Sequence, residues 1–154
     1  MGLTHHWHYR KHLPKRRLVE AVRDVKTVAE VLQQRGVALA GPSGKGDPVF
    51  AVVGKVGVAF NGDGENAHES FIFPDFPEQA GFCKTARKPY DLAVTAALII
   101  LKHHLRESLT IGSDEATAHF RPAMNLCQEI LGYGEEFRLD WTLRGAGDLL
   151  EYPL

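Results

Sequence analysis

Val49-Phe-Ala-Val-Val-Gly-Lys-Val-Gly-Val-Ala-Phe60 and, a few residues on, Glu69-Ser-Phe-Ile-Phe73 decide the fold class. The first stretch is two runs rich in β-branched residues, Val49–Val53 and Val56–Phe60, separated by Gly54-Lys55. A two-residue loop opening with glycine suits a type II′ hairpin. The Gly/Asn/Asp-rich residues 61–67 read as a connecting loop, and in the last run Phe71 and Phe73 share one face of an alternating strand. Three strands in succession predict an antiparallel meander.

Upstream, residues 41–48 (GPSGKGDP) read as a loop by composition. Before them Pro14 opens an amphipathic helix to about Arg35, its apolar stripe carried by Leu18, Val22, Val25, Ala29 and Leu32, with Gly36 as the stop. The chain begins with an alternating stretch, Leu3 to Arg10. His5, Trp7 and Tyr9 face one way, inward, and His6 and His8 the other.

Downstream, Pro74 to Gly81 reads as an exposed irregular loop. Pro89 then fits the first turn of a helix, where its missing N–H costs nothing. That helix runs to about Arg106 and is apolar almost all round, which predicts the central helix. A short strand at Leu109–Ile111 and a helix from about His119 to Leu131, capped by Gly132, follow. Residues 135–154 are acidic and read as irregular, with one edge strand at Phe137–Leu139.

The order β-α-β-β-β-α-β-α predicts an α+β domain spanning residues 1–154. It would have an antiparallel sheet of four to five strands and helices largely on one face.

Composition narrows the function classes. With 44% apolar and 24% charged residues the chain is too apolar for disorder, and a net charge of −1 gives no global pull toward nucleic acid or an anionic membrane. Charge is uneven: residues 1–35 hold eight Lys/Arg against three Asp/Glu, the remainder ten against sixteen. Cys83 and Cys127 form neither a disulfide framework nor a CxxC knuckle, so a reducing, cytoplasmic setting is expected. The His-rich, basic first residues have no apolar run behind them, so no secretory leader is expected. The longest apolar run, Leu92 to Leu101, is about half of the ~20 residues a membrane span needs.

Two apparent motifs fail on their spacing. In Gly41-Pro-Ser-Gly-Lys-Gly46, Leu39 stands where a P-loop has its first glycine and Gly46 where it has a hydroxyl. Asn61, Asp63 and Glu65 alternate like calcium ligands, but Asn66 replaces the turn glycine and Ile72 the bidentate glutamate. His6 and His8 point to one side of a strand and could hold a metal if His68 or Glu69 supplied a third ligand. The plainer expectation is solvent-facing histidines and no cofactor.

Phe82-Cys-Lys-Thr-Ala-Arg-Lys-Pro-Tyr-Asp91 is the most informative segment for function. Three cations and a hydroxyl precede a helix N-terminus, where unpaired N–H groups and the dipole favour an anion. Lys84, Thr85, Arg87 and Lys88 are therefore candidates to hold a phosphate or carboxylate, with Tyr90 or Trp7 stacking on a ring of the ligand. The alternative is a self-contained charge cluster in which Asp91 is the internal partner. A second reading makes the protein an enzyme, with His68 and Glu69 as acid and base and Cys83, beside Lys84 and Arg87, as nucleophile. A third is an assembly module or homo-oligomer joined through Phe73, Phe76 and Phe82.

Thr4-His5-x-Trp7, Phe60-Asn61-Gly62, His68-Glu69-x-Phe71, Phe82-Cys83-Lys84-Thr85 with Pro89-Tyr90-Asp91, and Leu131-Gly132-Tyr133-Gly134 together resemble a set of uncharacterised small bacterial and phage-type proteins. The resemblance covers most of the chain and implies a self-contained domain. It brings no activity or ligand. A phage-type protein sequestering a nucleotide would fit the basic segment.

Overall fold

The computed structural model describes residues 3–143. The chain is α+β, as its patterning requires, with the strands shared between two four-stranded sheets. In chain order the elements are β1 (Thr4–Tyr9), α1 (Lys15–Gln34), β2 (Leu39–Ala40), β3 (Val49–Ala51), β4 (Gly57–Gly62), β5 (Phe71–Phe73), β6 (Ala80–Lys84), α2 (Asp91–Leu105), β7 (Leu109–Ser113), α3 (Arg121–Leu131) and β8 (Trp141–Thr142).

The first sheet runs β6-β1-β7-β8, antiparallel except for the parallel pair β7–β8. The second is the expected meander β3-β4-β5, with β2 on the other side of β4 and all its pairs antiparallel. Alternation in β1 works as read: His5, Trp7 and Tyr9 are buried, whereas His8 is exposed. Trp7 meets Phe71 of the second sheet at a ring-centroid distance of 5.0 Å, and Phe71 meets Phe60 at 5.3 Å, so one aromatic core joins the sheets. Helix α2 is buried on nearly every side, from Ala93 through Leu101 and again at Leu105. Among the described residues no helix is long and apolar enough to cross a membrane.

Several boundaries differ from the sequence reading. The β3–β4 loop is longer than two residues. Ala51 pairs with Gly57, so Val52–Val56 form the loop and Gly54 sits at its centre with φ +72°. Pro74–Gly81 is not wholly irregular, because Ala80 and Gly81 open β6 and pair with His8 and Trp7. Gly81 is required there: a Cβ would stand 2.6 Å from the indole of Trp7. The short strand β2 carries no alternation long enough to read. The expected strand at Phe137–Leu139 is instead an irregular segment with Phe137 and Leu139 buried, and pairing begins at Trp141. Residues 144–154 of the expected acidic tail lie outside the described residues.

Candidate metal centre

Register places three polar side chains at one end of the first sheet. His5 of β1 is the cross-strand partner of both Ser113 of β7 and Cys83 of β6. All three residues are buried, and they lie on the core face because each continues the inward alternation of its strand. Thr85, two residues beyond Cys83, is buried on the same side. Asp91 opens α2, and His119 comes from the 3-10 turn Thr117–Phe120 that leads into α3.

These side chains converge on the Asp91 carboxylate. His5 Nε2 lies 2.8 Å from Oδ1 and His119 Nε2 2.8 Å from Oδ2, while the Thr85 hydroxyl donates to Oδ1 at 2.7 Å. On its far side His5 Nδ1 is 2.9 Å from Ser113 Oγ, which also accepts the Glu115 N–H at 3.1 Å. Burial alone would raise the Asp91 pKa. Hydrogen bonds from His119 and His5, the His5 charge and the Thr85 hydroxyl outweigh it and hold the carboxyl well below its usual range. Asp91 is therefore an anion throughout the neutral range, and His5, fully buried, is matched by partners on both ring nitrogens.

The three ligand-capable atoms all lie within 4.8 Å of one another. A tetrahedral zinc site with bonds of about 2.0–2.1 Å has ligand–ligand edges of about 3.3 Å, so the group is near the spacing a metal needs. Its surroundings also match what metal ligands require. Ser113 stands where a ligating His5 would direct its Nδ1–H, and Thr85 fixes the carboxylate. His5 is sealed from solvent, but the Asp91 and His119 side chains keep 14% and 23% exposure, so one side of the centre opens outward.

The turn between β6 and α2 is strained. Ala86 and Arg87 have φ +52° and +59°, and Lys88 N–H closes the turn on Thr85 C=O at 3.0 Å. Non-glycine residues in this region cost on the order of 1–3 kcal/mol each. The turn delivers Thr85 inward and Asp91 back over the same sheet end. It also carries Arg87 outward to Glu115, Nη2 to Oε2 at 2.5 Å.

The sequence candidates divide among other surroundings. Lys84 is exposed on the opposite face of β6 from Cys83 and Thr85. Lys88 Nζ donates to the Glu65 carbonyl at 3.2 Å. Trp7 and Tyr90 are core residues, 1% and 0% exposed, so neither ring offers a face to a surface ligand as expected. Tyr90 OH donates to the Glu69 carbonyl at 2.5 Å. The Cys83 thiol donates to that same carbonyl at 3.3 Å, and burial pushes it up to about 12, the opposite of an activated nucleophile. His68 Nδ1 donates to Lys84 C=O at 2.6 Å, and Glu69 Oε1 accepts the Lys84 N–H at 2.7 Å. His68, Glu69 and Cys83 are thus neighbours, joined largely through backbone rather than aimed at a shared water. His6 and His8 do share the outer face of β1. Among the described residues they gain no third metal ligand, and His6 Nε2 is 3.8 Å from Asp114 Oδ1. Of the three aromatics expected to form a partner surface, Phe73 is buried, while Phe76 and Phe82 are 43% and 61% exposed.

Spacing does not mark His5, Asp91, His119 and Ser113 as a site, since His5 and Asp91 are 86 positions apart and His119 lies 28 beyond. The available signal was a histidine on the inward face of a strand, which demands buried polar partners. No protein-family model, curated protein or solved structure matches the chain.

Proposed function

We propose that this protein binds one divalent transition-metal ion, zinc in the first instance, through His5, Asp91 and His119, and acts through the coordination position left open. The observation that carries this reading is the convergence of two imidazole Nε2 atoms on one carboxylate, each at 2.8 Å, with Ser113 and Thr85 bonded behind them. Two nitrogens and an oxygen suit zinc or iron(II), and three protein ligands leave room for water or a ligand oxygen. In the metal-bound form both Nε2 atoms would be deprotonated. His5 would carry its proton on Nδ1, donated to Ser113 Oγ, whose own hydroxyl can turn to the Thr4 carbonyl 3.5 Å away. When bound, the ion supplies Lewis acidity at the open position.

The test is metal content after chelation, reloading with zinc and desalting. About one zinc per chain is expected, falling to background in Asp91→Asn and His119→Ala, while Ser113→Ala and Thr85→Val weaken affinity by about 10–100-fold. If wild type retains no more zinc than Asp91→Asn, with both folded by circular dichroism, His5, Asp91 and His119 form a structural hydrogen-bonded network and the metal reading fails.

A further inference from the structure

Away from the metal centre, the outer strand of the first sheet has an edge that is closed at one end and open along the rest. Thr85 N–H donates to Leu3 C=O at 2.9 Å and Tyr9 N–H to Gln79 C=O at 2.9 Å. In the antiparallel register of β1 with β6 these bonds make the odd-numbered residues, from Gln79 to Thr85, the ones that hydrogen-bond to β1. Ala80, Phe82 and Lys84 therefore turn their backbone N–H and C=O groups to the outer edge. At Lys84 that edge is closed. Its N–H donates to Glu69 Oε1 at 2.7 Å, and its carbonyl accepts the Glu69 N–H at 3.3 Å and the His68 Nδ1–H at 2.6 Å. Ala80 and Phe82 have no such partner on that side among the described residues.

The open part of the edge borders a cleft of about 680 Å³, within the size range of ligand sites. Gly81 and Phe82 of β6, Ile72 of β5 and three carboxylates, Glu69, Asp75 and Glu78, line it. Among the described residues no lysine or arginine does. Phe82 and Ile72 are 61% and 40% exposed, so the cleft joins apolar surface to negative charge. We infer that it binds a basic peptide segment in extended conformation, added as a further strand to the outer edge of β6. The backbone of the segment takes up the N–H and C=O groups of Ala80 and Phe82, its apolar side chains cover Phe82 and Ile72, and its cations meet the carboxylates. A second copy of this chain fits the edge poorly. Two-fold pairing of β6 with itself would set the carboxylates of one copy against those of the other. An edge lined by acids thus opposes pairing with its own kind and stays open to a cation-rich strand. None of the residues that line the cleft belongs to the metal centre, so the two sites stand or fall separately.

The probe is a short dye-labelled peptide of alternating lysine and valine, titrated with the full chain at fixed ionic strength and followed by fluorescence anisotropy. Wild type should bind it saturably. The same peptide with every backbone nitrogen methylated keeps its charge and loses its N–H donors, and its Kd should be about tenfold higher or more. Asp75→Asn with Glu78→Gln should raise the Kd of the parent peptide about three- to tenfold. Glu30→Gln with Asp47→Asn, an equal loss of charge at exposed positions away from the cleft, should leave it unchanged. Absence of saturable binding to wild type overturns the proposal. Equal affinity for the methylated peptide overturns the strand-addition geometry, a result that needs no variant to fold. Equal effects of the two double substitutions overturn recognition at the cleft, because general electrostatics would then suffice. A wild-type dimer in sedimentation equilibrium that dissociates on Phe82→Glu would show a second copy on the edge and overturn the peptide as its occupant.

Discussion

At the scale of single residues, burial decides which chemistry a side chain can perform. Cys83 and Cys127 are both fully buried, and desolvation raises both thiols to about 12. A raised thiol pKa means that the reactive thiolate is scarce below that value, and its fraction grows only as the pH approaches it. Native protein should therefore resist iodoacetamide at pH 8 and take up two labels after unfolding in guanidinium, counted by intact mass. Rapid single labelling of the native chain would show an exposed, activated thiol and return Cys83 to consideration as a nucleophile. The same logic explains what was legible of the site in the sequence. Of the basic segment before α2, Thr85 hydrogen-bonds Asp91, whereas Arg87 pairs with Glu115 and Lys88 with the Glu65 carbonyl. The imidazoles are not legible as ligands in the sequence, because His5, Asp91 and His119 meet only through the register of β1 with β6 and β7 and the docking of two helices. None of those relations is encoded in local spacing.

At the scale of elements, the patterns with a single clear period were the readable ones. The stripe of α1 and the apolar run of α2 led to helices at Lys15–Gln34 and Asp91–Leu105, and the β-branched runs led to the β3-β4-β5 meander. Illegible elements were short or had their pattern overridden by tertiary contact. Strand β6 contains Gly81, a residue that weakens strand propensity, yet the glycine is what lets Trp7 lie across it. Gly81→Ala should destabilise the fold by about 1–3 kcal/mol, as overpacking against a buried ring does. Chemical denaturation followed by tryptophan fluorescence measures it. A change within ±0.5 kcal/mol would mean that Trp7 can shift away, contrary to its packing against Phe71. Strand β8 has a similar origin: Trp141 covers Gly112 so closely that a Cβ on Gly112 would lie 1.7 Å from the indole.

At the scale of the whole molecule, two sheets share a core built around α2 and the Trp7–Phe71–Phe60 cluster, and the polar centre lies where that core ends. The α+β class followed from element order alone, whereas the division into two sheets depends on which edges meet. An apolar core supplies the dry, rigid wall that holds His5 against Ser113, and the exposed sides of Asp91 and His119 supply access. The most direct test is a crystal of zinc-soaked protein with diffraction recorded on both sides of the zinc absorption edge. An anomalous peak about 2.0–2.2 Å from His5 Nε2, an Asp91 carboxylate oxygen and His119 Nε2 is the predicted result. A centre without such a peak, with both histidines still hydrogen-bonded to Asp91 after soaking, would contradict it.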